Sequence, residues 1–432
     1  MKLLLTGARI IDPAQNMDSK MDIFLEDGKI AKTGADLSKS VKSKSSGEIT
    51  KIIDLAGMIL VPGLIDMHTH LREPGFEYKE TIASGAAAAV AGGFTSIACM
   101  PNSNPINDNR SVTEFIKRKA IEASLANVYP IGAISKDSAG VLLTEFWDLK
   151  EAGIIALSDD GKPVMDAALM RRALEYAFSL QLPVISHCED TNLSGGGQMN
   201  ESYHSTILGL SGIPCIAEEV MVARDILIAE FTKTCVHIAH VSTAGSVGLI
   251  RNAKKRGLKV TAETAPHYFT LTDEALQNYN TNFKVNPPLR SEKDVAAIKE
   301  GLSDGTIDVI ACDHAPHGRT DKEVEFEYAA NGISGLETSL SLSLNLIRNK
   351  TLNWPELIAK MSVNPARILN LPKGTLAAGT DADITVIDPL IKWTVDVKAF
   401  RSRGKNSPFH GREMQGKAIL TIVGGEIKYD GR

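Results

Sequence analysis

Between about Gly57 and Asn370 the chain alternates short apolar runs with longer stretches in which apolar residues recur at helical spacing. The short runs are VPGLIDMH (61–68), FTSIACM (94–100), NVYPIGA (127–133), GIIALS (153–158), PVISH (183–187), CVHIAH (235–240), KVTAE (259–263) and IDVIAC (307–312). Between them, MRRALEYAFSL (170–180) and EEVMVARDILIAEF (218–231) carry the spacing of helices with one apolar face. Such alternation predicts a parallel sheet with crossover helices. Eight runs of strand type predict an α/β fold closed into a (β/α)₈ TIM-type barrel. An open doubly wound sheet carries the same alternation, and counting does not separate the two.

The flanks have another pattern. Residues 1–56 contain LLLTGARIID, DIFLEDGKI and ITKIIDL, and residues 371–432 contain DADITVIDP and KAILTIVGGEIKYD. These are short strands joined by turns, with Asp27-Gly28 and Gly424-Gly425 as hairpin dipeptides. The expected organisation is a small β domain built from 1–56 and 371–432, with a barrel over 57–370 inserted between. The polar, lysine-bearing segment 38–51 reads as a solvated loop or hairpin tip. Gly195-Gly196-Gly197 lacks the lysine that follows a phosphate cradle and reads as a turn.

Composition narrows the class. With 43% hydrophobic and 23% charged residues among 432, the chain is neither disordered nor fibrous. Its net charge of −5 and the lack of a basic patch interleaved with aromatics argue against a nucleic-acid partner. Five scattered cysteines without a CxxC pattern argue against a disulfide framework and for a reducing, cytoplasmic setting. Three leucines after Met1-Lys2 are too few for a signal-peptide core or a membrane span, and no long apolar run follows.

Candidate chemistry collects where the runs end. In an extended strand, residues two apart face the same way, so His68 and His70 in Asp66-Met67-His68-Thr69-His70 can converge on one metal. Alone, that pair is weak evidence. However, His187 closes PVISH, His240 closes CVHIAH, Asp313 follows IDVIAC, and Asp159 and Asp160 follow GIIALS. Barrel enzymes carry their chemistry at the C-terminal strand ends, which scattered core histidines would not respect. Imidazole and carboxylate donors without thiolates suit Zn²⁺, with Mn²⁺ or Co²⁺ also compatible. Four neutral imidazoles and two carboxylates leave two divalent ions underneutralised, which favours a hydroxide between them. Cys188 and Cys312 adjoin candidate ligands, but on a strand they point the opposite way, into the core.

The motifs HTHLREPG (68–75), MPN (100–102), SDDG (158–161), HCED (187–190), HVST (240–243), NPPLR (286–290) and DHAPH (313–317) resemble class I dihydroorotase of the amidohydrolase superfamily. The likeness runs over nearly the whole chain, including G-x-DADI at 379–384. It implies two Zn²⁺ per subunit, with His68, His70 and Asp313 on one, His187 and His240 on the other, and Asp160 bridging. Related hydantoinases and dihydropyrimidinases generally use a carboxylated lysine at that bridge. The resemblance also implies that Arg72 and Asn102 hold a substrate carboxylate, where the residues alone suggest a surface ion-pair partner and a turn residue. Asn286 and His317 would contact the pyrimidine ring. After the active-site loop the family usually has Phe-Gly, whereas this chain has Asn331-Gly332, which keeps backbone contacts and removes the aromatic packing.

The implied reaction is metal-assisted, reversible opening of (S)-dihydroorotate to N-carbamoyl-L-aspartate, with Asp313 as proton acceptor and donor. An allantoinase or hydantoinase type is the nearest enzyme alternative, and a non-catalytic partner of aspartate transcarbamoylase is the alternative of another class. Homodimerisation and transcarbamoylase association remain open partners. His204, His237 and His410 match no ligand position and read as surface or packing residues, and His267 lies near the site mouth. The polar segment 317–331 reads equally as a lid or as a solvated loop.

Overall fold

The structure, a computed structural model, describes residues 2–37 and 51–432; the loop expected at 38–51 lies, apart from Lys51, outside them. Among the described residues, strands from both ends of the chain form one eight-stranded sheet. Met17–Glu26 pairs antiparallel with Lys2–Asp12 and with Lys29–Gly34, and Ile384–Thr394, Glu413–Val423 and Glu426–Asp430 continue the sheet from the other end of the chain. Both hairpin dipeptides sit at turns in the left-handed region, Asp27 and Gly28 at φ 50° and 79°, Gly424 and Gly425 at 55° and 77°. Leu3, Leu5, Ile10, Leu60, Ile384 and Leu420 form the core of this sheet.

The halves of the sheet meet on Ile59–Pro62, which pairs with Lys2–Asp12 and with Ile384–Thr394. The barrel edge expected at residue 57 is therefore corrected: 59–62 belong to the terminal sheet, and the first barrel strand is Leu64–Thr69. Gly63 separates them because a Cβ there would lie 2.1 Å from Thr95 Oγ1.

Seven parallel barrel strands follow the expected runs: Leu64–Thr69, Phe94–Cys99, Asn127–Pro130, Ile185–Ser186, Val236–Ile238, Val260–Thr264 and Val309–Ile310. The fourth run enters the ring through single bridges, Leu157 to Gly132 and to Val184. Pro130 and Pro183 flank it and accept from Ile155 and Leu157 without an N–H to return, which breaks the ladder. A bridge between Thr69 and His314 closes the ring, and the open doubly wound alternative falls away. Alternation then sorts the side chains into two layers. Ala98, Ile131, Ala156, Ile185, Ala239, Val309 and Ala311 form one cluster, the filling of the barrel. Ile97, Val128, Leu157, Val184, Ile238 and Ile310 face the other way and pack with helical residues such as Ala86, Ile116, Leu174, Val222, Ile250 and Ile298. Cys188 and Cys312 are buried in that outer layer, and the cysteines form no disulfide.

The helices start where short polar side chains accept from free backbone N–H groups. Thr81 caps Ile82–Gly92, Asn109 caps Arg110–Ala123, Asp166 caps Ala167–Ser179 and Thr243 caps Ala244–Lys255. Among the described residues, no helix is long and apolar enough to cross a membrane.

Candidate metal centre

At the C-terminal mouth of the barrel the strand ends bring five buried donor residues together around a sixth, Asp160. Asp160 Oδ1 lies 3.3 Å from His68 Nε2, 3.3 Å from His240 Nε2 and 3.6 Å from His187 Nδ1, while Oδ2 lies 3.5 Å from His70 Nε2. Asp313 Oδ1 stands 3.0 Å from His70 Nε2 and 3.5 Å from His68 Nε2. Two donor sets that could hold a metal ion result, His68, His70 and Asp160 in one and Asp160, His187 and His240 in the other, sharing the aspartate. Asp159 turns away, its carboxylate accepting from the N–H of Ser135 at 3.0 Å and from its hydroxyl. Backbone strain marks the same places, since His240, Asp313 and Arg72 have φ of 30°, 47° and 63°.

The donors suit a divalent ion. His68 Nε2 and Asp160 Oδ1 are buried without a hydrogen-bond partner, a costly arrangement unless something else satisfies them. Two ligands of a tetrahedral zinc ion, each about 2.0–2.1 Å from it, stand about 3.3 Å apart. The Asp160–imidazole separations of 3.3 to 3.6 Å match that spacing. The charges agree. Burial opposes ionisation of Asp160, but the facing imidazoles of His68, His187 and His240 hold its carboxyl well below the usual range. Burial also opposes charge on His187, yet Asp160 and Glu189 raise it to about 10. A field that draws protons onto imidazoles attracts a cation in their place.

Above the donors is a cavity of about 200 Å³. His70, Asp160, His187, His240 and Asp313 line it, as do Arg72, Asn102, Asn286, His317, Asn331 and Gly332; among the expected site residues His68 alone lies beneath, fully buried. The Arg72 guanidinium donates through Nε to Pro316 O at 3.2 Å and has Nη2 3.3 Å from His317 Nε2, with no salt bridge among the described residues. It is a cation facing the cavity with no directly paired carboxylate among the described residues, although Asp313 and Asp160 act on it from farther off. Asn102 accepts from His70 Nδ1 through Oδ1 at 2.8 Å, and its Nδ2 lies 3.7 Å from where a Cβ on Gly161 would stand. Asn286 Nδ2 donates to Glu189 Oε2 at 2.8 Å, which in turn sits 3.1 Å from His187 Nε2. Burial and the charges of Arg72 and Lys79 push His317 down to about 2, so its ring is neutral, with Nε2 2.8 Å from Asn331 O.

Gly332 shapes the wall. Its N–H donates to Lys284 O and its carbonyl accepts from Asn406 Nδ2. Its φ is 140°, and a Cβ on it would lie only 2.5 Å from Ala315 Cβ, so no other residue fits. The Asn331 side chain is exposed. The segment 317–331 is tied down at the rim: Lys322 Nζ donates to the carbonyls of Thr281, Lys284 and Ala330, and Lys284 Nζ to those of Phe326 and Glu327.

Sequence reasoning missed three contributors. Glu263, fully buried, lies 2.5 Å from His68 Nδ1. Its signal was available, because it closes KVTAE just as His187 and His240 close their runs. Glu189, inside HCED, supports His187. His237, expected at the surface or in packing, is a buried polar group inside the barrel, 3.3 Å from Glu263. His410 is exposed and His204 partly so, as expected, while His267 is buried with Nε2 unpartnered.

A barrel that gathers paired histidine and aspartate donor sets at its strand ends defines the amidohydrolase class, and an amidohydrolase family profile matches residues 234–429. Solved structures similar to it include an L-hydantoinase (dihydropyrimidinase) from Arthrobacter aurescens, at TM-score 0.87 and 26% identity over 99% of this chain and 96% of the other. A D-hydantoinase (dihydropyrimidinase) from Thermus sp. superposes at TM-score 0.85 with 25% identity, covering 100% and 96%. A profile described as dihydro-orotase-like matches residues 57–246. The dihydroorotase of Syntrophus aciditrophicus is 64% identical over 429 residues, 99% of each chain, and that of Pelobacter propionicus is 54% identical over 99% of this chain and 100% of its own. The chain belongs to the dihydroorotase family.

Proposed function

We propose that this protein hydrolyses the cyclic amide of (S)-dihydroorotate to N-carbamoyl-L-aspartate, and closes the ring in the reverse direction during pyrimidine synthesis. The observation that carries this reading is Arg72, a guanidinium without a salt bridge that lines the same small cavity as the donor cluster. Hydantoin, dihydrouracil and allantoin have no carboxylate to offer it, whereas dihydroorotate does.

The residues suit two zinc ions: His68, His70 and Asp313 for one, His187 and His240 for the other, and Asp160 for both. Such ions, when bound, supply Lewis-acid polarisation of a carbonyl and lower the pKa of a water to about 7. The protein's own part is to bind and orient the substrate and to move a proton. Arg72 forms a forked pair with the substrate carboxylate, joined by Asn102 through the Nδ2 that His70 leaves free. Asn286 and neutral His317, the latter beside Arg72, line the same cavity and would contact the ring. Asp313, whose carboxyl is opposed by burial but held well below its usual range by His68 and His70, takes the proton of the attacking water and returns it to the leaving nitrogen.

This reading extends to a cytoplasmic enzyme, with homodimerisation and aspartate transcarbamoylase association to be tested by gel filtration and co-purification. The direct test is a substrate panel with elemental analysis. Dihydroorotate is turned over and hydantoin, dihydrouracil and allantoin are not, and Asp313→Ala loses about 10²–10⁴-fold or more in kcat while keeping a native circular dichroism spectrum. Turnover of hydantoin or allantoin without dihydroorotate, or near-normal activity of the variant, overturns it.

A further inference from the structure

Beneath the donor cluster, inside the barrel, two ionisable side chains are buried that the reaction does not use. Glu263 and His237 are each 1% exposed. Glu263 Oε1 lies 2.5 Å from His68 Nδ1, and Oε2 lies 3.3 Å from His237 Nε2. Those last two atoms make no hydrogen bond, and their 3.3 Å approach is an electrostatic contact between imidazole and carboxylate. His237 Nδ1 is 2.8 Å from Thr261 Oγ1. The arrangement follows from strand register: His237 and Thr261 are paired on neighbouring parallel strands, and Glu263, two residues beyond Thr261, points to the same side. A buried carboxylate is tolerated only when both oxygens are compensated, and here one imidazole bonds the first and a second faces the other.

We infer that Glu263 and His237 are positioning residues that fix the tautomer and ring orientation of His68 for metal binding. One placement of the hydrogens, with His237 neutral, satisfies every contact along the chain. The Thr261 hydroxyl donates to His237 Nδ1, so His237 carries its proton on Nε2, facing Glu263. The carboxylate accepts the Nδ1–H of His68. The lone pair of His68 Nε2 is thereby turned toward Asp160 and Asp313, where a metal needs it. Without Glu263 the ring can hold its proton on either nitrogen. Without His237 one carboxylate oxygen has no partner, and the anion supporting His68 is less well held. The inference rests on the metal-hydrolase reading of the site but not on the identity of the substrate.

The test uses full-length Glu263→Gln, His237→Phe and His237→Gln. Alanine at 237 is avoided because the residue borders a cavity of about 1120 Å³ at the opposite end of the barrel, through which water would replace the ring. Zinc affinity is measured by chelator competition, the cobalt-substituted protein by its visible absorption, and kcat and KM with dihydroorotate at saturating metal. Glu263→Gln is expected to weaken one of two metal equivalents by about 10–100-fold and to shift the cobalt spectrum, with kcat falling more than KM rises. His237→Phe moves both readouts in the same direction by less, and His237→Gln, which restores an N–H donor to Glu263, recovers most of the loss. Wild-type metal affinity and cobalt spectrum in Glu263→Gln overturn the inference. So does equal behaviour of His237→Phe and His237→Gln, which remains decisive if the Glu263 variant fails to fold. Weakened metal binding together with a wild type inactive on dihydroorotate would sink the substrate reading and leave this one standing.

Discussion

The two halves of the donor cluster are supported from opposite directions. His68 and His70 come from one strand end, and each has Nδ1 occupied, by Glu263 from below and by Asn102 from the side, so both present Nε2 to the centre. His187 and His240 come from different strands. His187 has Nε2 occupied by Glu189, which also accepts from Asn286, so it presents Nδ1 instead. Two residues before Asn286, the carbonyl of Lys284 accepts from Gly332 N and Lys322 Nζ of the rim segment. One half thus stands on the rigid floor of the barrel and the other leans on a loop above it. The floor is built from strands with paired backbones, whereas the rim depends on side chains reaching carbonyls, so the support of His187 can be altered without touching the strand ladder.

Asp160 belongs to both halves, and removing it erases the comparison. Asp160→Ala is expected to lose both metal equivalents by elemental analysis and all measurable turnover; a variant that keeps one full equivalent would show that the halves do not share it. Glu189→Gln separates them. It should weaken the metal held by His187 and His240 by about 10–100-fold in chelator competition and leave the other equivalent unchanged. Equal loss of both equivalents would mean that the floor and rim do not act independently.

The smallest effect concerns the rim itself. Burial, with the charge of Lys284, pushes Lys322 down to about 7. Between that pH and the usual lysine value of about 10.4, the unfolded chain holds a proton that the folded chain has released, so unfolding free energy rises with pH across this window. Below about pH 7 both states are protonated and the slope vanishes. Relative to Lys322→Met, the wild type should therefore gain stability between pH 7 and 9 in urea unfolding, by at most about 1.4 kcal/mol per pH unit. Parallel curves would place the Lys322 proton elsewhere.

Much of the site was legible before folding because its residues close strands. The donors His187 and His240 end apolar runs, Asp313 follows one, and a period of two sets which side of a strand each faces. The same logic assigned Cys188 and Cys312 to the outer layer, where both are buried. It failed for His237, whose inward position was readable but whose partner was not. It also stopped short at the fourth run, where two prolines replace a continuous ladder by single bridges.

Periodicity and turn chemistry within a few residues were enough to specify the alternation of strands and helices, the split of the β domain between the two ends of the chain, and the residue types at each strand end. Closure of the barrel was needed for the rest: how Asp159 turns away to Ser135 while Asp160, which the family resemblance had implied, joins both donor sets, that no carboxylate among the described residues pairs with Arg72, and that Glu263 supports His68 from 195 residues away. A buried polar group is stabilised by whichever partner the closed barrel brings within hydrogen-bonding distance, and that distance is fixed only when the ring of strands is complete.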